Sequence, residues 1–132
     1  MGYYSSVGIL IKEKDYNKMF EIAKEKQIKY VLKNPRSKEH INFYKDLTDL
    51  LCEYSTINKK INYDDEDYRA IYYDNIKWYS DDLIINFIEE YLRQQEKYQF
   101  IRIGESSDDY EEEGTEYYFS IERRISTADG LL

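Results

Sequence analysis

The chain has 132 residues, with 27 Asp/Glu against 19 Lys/Arg and a formal net charge of −8, which fits one domain able to bury roughly two-thirds of its unfolded surface. The charge is unevenly placed: residues 1–62 hold 12 Lys/Arg against 8 Asp/Glu, net +4, whereas residues 63–132 hold 7 against 19, net −12. Such a field repels nucleic acid and attracts basic surfaces, so direct nucleic-acid binding is excluded as a function class.

From Tyr3 to Ile11 the residues Tyr3, Ser5, Val7, Ile9 and Ile11 alternate with Tyr4, Ser6, Gly8 and Leu10, the period of a strand. The same N-terminus lacks a basic region followed by an apolar run and a cleavage site, so no secretory leader is expected. Gly2 with Ser6 loosely suits a myristoylation pattern. Asp15 then caps a helix with Tyr16, Met19, Phe20 and Ala23 on one face and Lys24 and Lys26 near its end. Asn34 and Pro35 interrupt it. Ser37 caps a second helix carrying Ile41, Tyr44, Leu47, Leu51 and Tyr54. His40 and Cys52, the only histidine and the only cysteine, stand about 18 Å apart along such a helix and form no nucleophile pair. His40 reads as a helix-surface residue and Cys52 as a core or boundary residue. A lone cysteine also excludes an intramolecular disulfide and a multi-cysteine zinc site, and suits a reducing cytoplasm.

Residues 55–67 are polar and read as an exposed loop. YRAIYYDNIKWY follows, in which Asp74 and Asn75 mark a turn between two strands or a bulge in one. Ser80 before Asp81 and Asp82 starts a third helix, with Ile84, Phe87, Ile88, Tyr91 and Leu92 inward. YQFIRI and TEYYFSIERRI are the closing strands, the second with Tyr117, Phe119, Ile121 and Ile125 on one face. The expected fold is α+β, a mainly antiparallel sheet with about three helices on one face in the order β-α-α-β(β)-α-β-β. Residues 1–132 form a single domain, with 126–132 expected to be a flexible tail. No stretch approaches the length of an apolar membrane span. The 16 Tyr, against five Phe and one Trp, fit either an AT-rich coding sequence or a binding surface. Pairing of Tyr117 to Ile121 across a sheet edge would give a homodimer; repulsion between acidic halves favours a monomer.

The densest acidic stretch, GESSDDYEEEG at 104–114, connects the last two expected strands. Its Glu105, Asp108, Asp109, Glu111, Glu112 and Glu113 offer hard oxygen ligands, but not at the spacing of an EF-hand loop, so no metal is assigned. As phosphate mimics they would engage Lys and Arg side chains that normally neutralise a nucleic-acid backbone. As a solvated loop they would keep the chain soluble and need no partner. Arg102 lies on the strand face opposite Ile101 and Ile103, where it pairs with Glu116 or Glu122. Alternatively it joins Arg123, Arg124, Tyr72 and Trp78, with Tyr73 and Tyr79 nearby, in a pocket that sequesters a nucleotide messenger. Glycine-rich phosphate loops, HExxH and GxSxG are absent, so the chain reads as non-enzymatic and cofactor-free. A metal-dependent enzyme is the remaining alternative.

MGYYSSVGILIKEKDY, IKWYSDDLIINFIEEYL and YQFIRIGESSDDYEEEG, at these spacings, resemble a family of small phage and prophage proteins of uncharacterised function. The resemblance carries no catalytic signature. It implies an accessory role in the cytoplasm of a bacterial host: binding and inhibiting a host protein with a basic surface. An anti-CRISPR-like protein occupying the nucleic-acid channel of a defence effector is the expected type.

Overall fold

The computed structural model describes residues 2–33, 42–106, 108–121 and 125–132. Ser37, His40 and Ile41 of the expected second helix, and Glu122, Arg123 and Arg124, lie outside the described residues. In chain order the elements are β1 (Ser5–Lys12), α1 (Glu13–Lys33), α2 (Phe43–Thr48) with a π-helical turn at Asp49–Glu53, β2 (Ile57–Tyr63), β3 (Glu66–Ile76), α3 (Leu83–Arg93), β4 (Tyr98–Ile103), β5 (Tyr110–Gly114), β6 (Phe119–Ile121) and β7 (Ile125–Thr127). This is an α+β fold. Its five-stranded sheet has the order β2-β3-β1-β4-β5, and β6 and β7 form a separate ribbon; every strand pair is antiparallel.

β1 is central because it is apolar on both faces. Val7, Ile9 and Ile11 meet the helices, together with Ile71, Tyr73 and Phe100 from the neighbouring strands. Leu10 faces the other way and packs with Tyr68, Ala70 and Ile101 under Tyr118, Phe119 and Ile125 of the ribbon segment. The sheet therefore has helices on one face and a β-ribbon on the other. Gly8 permits that contact, since a Cβ there would lie 2.9 Å from the Phe119 ring. Gln99 fixes the ribbon from below: its side-chain amide donates to the Phe119 carbonyl and accepts from the Phe119 N–H, both at 2.8 Å.

Several elements differ from the sequence expectation. Residues 57–63 are not loop but an edge strand, turned into β3 at Asp64 and Asp65, whose φ angles are 53° and 60°. Asp74 and Asn75 mark a bulge in one continuous strand, because Ser5 and Val7 of β1 face Ile76 and Tyr73. The first helix starts at Glu13, so Asp15 lies inside its first turn, and it continues beyond Lys26 to Lys33. Asp82, not Ser80, caps α3, its carboxylate accepting from the N–H groups of Ile84 and Ile85 at 3.0 and 3.1 Å. TEYYFSIERRI is not one strand: Tyr117 is 79% exposed, while Tyr118 and Phe119 are both buried. Asp129, in the expected tail, accepts from the Tyr118 hydroxyl at 2.8 Å.

Candidate functional site

β5 is an edge strand formed largely of glutamates, and its pairing with β4 sorts them by face. Glu111 lies opposite Arg102 and Glu113 opposite Phe100, on the helix side; Glu112 lies opposite Ile101, on the ribbon side. Alternation thus divides a run of like charges that would be destabilising on one face.

Most of these carboxylates are engaged inside the molecule. The Arg102 guanidinium donates to Asp109 at 2.7 Å, to Glu111 at 3.0 Å and to the Ser5 hydroxyl at 3.0 Å. Its position opposite Ile101 and Ile103 is as expected, but its partners are Asp109 and Glu111, because register sets Glu111 directly across. Glu116 instead accepts from the Tyr68 hydroxyl at 2.8 Å. The hydroxyl of Tyr3 donates to Asp109 and accepts from the Ser106 N–H, and Glu105 accepts from the Tyr4 N–H at 2.8 Å. Arg102 and Tyr3 hold the Asp109 carboxyl below the usual aspartate range. Glu113 pairs with Arg93 at 3.3 Å, and the same guanidinium reaches Glu90 and Glu89.

Glu89, invisible as a special residue in the sequence, is 3% exposed, and its Oε1 has no hydrogen-bond partner. Burial pushes its carboxyl up, helped by Glu111 and Glu113 on β5 and opposed by Arg93. Asp108 and Glu112 are exposed and have no ion-pair partner among the described residues. They are the carboxylates of the segment most available to another molecule. The rest form a braced acidic edge in which two arginines are shared by five carboxyl groups, Glu89, Glu90, Asp109, Glu111 and Glu113.

The arginine and aromatic pocket does not assemble from its described members. Arg102 is consumed by the acidic loop. Trp78 is buried on the helix side, its ring 5.6 Å from Tyr73 and 5.9 Å from Phe100. Tyr72 packs on the ribbon side. Among the described residues no group of three or more His, Cys, Asp or Glu side chains is arranged to hold a metal ion. Cys52 is exposed, correcting its placement as a core or boundary residue. It lies on the π-helical turn, 3.7 Å from the Tyr16 hydroxyl. That hydroxyl belongs to a network the sequence did not disclose, in which Asn58 donates to Tyr16, and Arg69 donates to Asn58 and, in bidentate fashion, to Glu13.

Comparison with protein families, curated proteins and solved structures finds no match for the chain. Among the described residues no helix is long and apolar enough to cross a membrane.

Proposed function

We propose that this chain is a non-enzymatic acidic binding protein, acting in the cytoplasm of a bacterial host, whose β5 edge and preceding loop engage a basic surface of a host protein. The supporting observation is the excess of carboxylates over guanidinium groups along this edge, with Asp108 and Glu112 exposed and without an ion-pair partner among the described residues. Glu112 sits on a strand paired with β4 and Asp108 in a loop closed by backbone hydrogen bonds, so these carboxylates lose less entropy on binding than they would on a free chain, which suits phosphate mimicry. The Lys and Arg side chains of a nucleic-acid channel are its complement. Together with the resemblance to phage and prophage proteins, this favours a nucleic-acid-directed defence effector as the partner.

The internal pairing dictates the test. Reversing all the acidic positions would leave Arg93 and Arg102 facing lysines and would damage the fold. D108K/E112K instead changes charge at side chains that make no ion pair among the described residues. With the tagged protein as bait in a host lysate, the wild type should retain a nucleic-acid-binding protein, identified by mass spectrometry, and D108K/E112K should lose it. Equal retention would remove this edge from the function.

A further inference from the structure

At the same end of the sheet, α2 with its π-helical turn, the end of β3, the start of α3 and Tyr4 enclose an open cavity of about 590 Å³. Its floor is apolar, from Leu50, Ile76 and Ile84, and its walls include the rings of Tyr4 and Tyr54. These rings are 38% and 66% exposed, a large aromatic surface left in water beside an apolar floor. Asp46, Asp49 and Asp82 also line it, with Lys77 the single basic lining residue among the described residues. Asp82 is occupied by its cap and Asp49 by Lys45 at 2.8 Å, whereas Asp46 is exposed and makes no ion pair among the described residues.

The Tyr4 ring already receives a cation from within the chain, since Lys77 Nζ lies 5.6 Å from its centroid. Tyr4 also joins the cavity to the acidic loop, because its N–H is bound by Glu105. A basic segment crossing that loop would continue into the cavity.

We propose that this cavity anchors an arginine side chain of the protein partner, an inference that rests on the reading of the acidic edge as a partner surface. Arginine fits each part of the lining. Its methylene stem covers the apolar floor, its planar guanidinium stacks on a tyrosine ring, and its fork meets Asp46. A neutral occupant would take water from these carboxylates and return no hydrogen bonds of comparable strength.

The test is a titration of the full chain with short acetylated, amidated peptides that differ only in a central arginine, citrulline or glutamate, followed by amide correlation spectra. The arginine peptide should move the signals of Leu50, Tyr54, Ile76 and Ile84 saturably. Loss of a charge-assisted bond should weaken the citrulline peptide about ten-fold, and the glutamate peptide should not bind. D46N/Y54A, altering two exposed side chains, should weaken the arginine peptide by a similar factor, while D108K/E112K leaves it within about two-fold. Equal binding of arginine and citrulline peptides, shifts confined to β5, or undiminished affinity in a folded D46N/Y54A would overturn the assignment. Partner capture that D108K/E112K fails to abolish would overturn the acidic-edge reading instead, so the two failures are distinguishable.

Discussion

Glu89 carries a pH dependence whose sign follows from its surroundings. Burial favours its neutral form, so its folded pKa lies above the ordinary 4.5. The groups facing it are Ser80, Arg93 on its own helix, and Glu111 and Glu113 on β5. Its stabilising contribution is complete below about pH 4.5 and is lost as pH rises through the raised folded value. Asp109 acts oppositely, its depressed pKa giving stability that is lost as pH falls. E89Q keeps the neutral shape, and should flatten the stability curve above pH 4.5 while gaining about 1 kcal/mol at neutral pH, a rise of roughly 4 °C in Tm. Thermal melts from pH 4 to 8 check this; a less stable E89Q at neutral pH would mean that Arg93 holds a charged Glu89. The sequence disclosed the face of Arg102 because strand alternation is local. It did not disclose Glu89, because adjacent Glu89 and Glu90 look alike until folding buries the first and leaves the second exposed.

Among the elements, α3 was legible because five apolar residues fall at helical spacing, whereas β2 was not. INKKINY is rich in Asn and Lys, weak strand formers, and its lysines make sense once it is an edge, where charge deters further pairing. Its turn was hidden for a related reason: both central residues need positive φ, a task usually given to Asn-Gly. Asp64 and Asp65 perform it at φ 53° and 60°. D64N/D65G should therefore stabilise the chain by about 0.5–1 kcal/mol, measured by urea unfolding; a loss would show that these carboxylates support the hairpin in another way. Across the sheet, G8A forces a methyl group to within 2.9 Å of the Phe119 ring. It should cost about 1–3 kcal/mol and alter the near-ultraviolet circular dichroism as the ribbon shifts. An unchanged spectrum and melting curve would show that the ribbon yields freely.

At the scale of the whole molecule, the sequence predicted helices against one face of an antiparallel sheet but not the ribbon on the other, whose contacts depend on the buried neighbours Tyr118 and Phe119 breaking simple alternation. The segregation of acidic residues into the second half was plain from the chain. How much of that charge remains for a partner was not, because only folding brings Arg93 and Arg102 to the acidic edge. The central claim, that this edge stands in for a phosphate backbone, is tested most directly by a mobility-shift competition using the captured partner and its nucleic acid. Wild-type protein should displace the nucleic acid in a salt-sensitive manner, and D108K/E112K should require a concentration at least about ten-fold higher, as expected for two lost charge contacts. Nucleic acid that stays bound while the wild-type protein saturates the partner would contradict the claim.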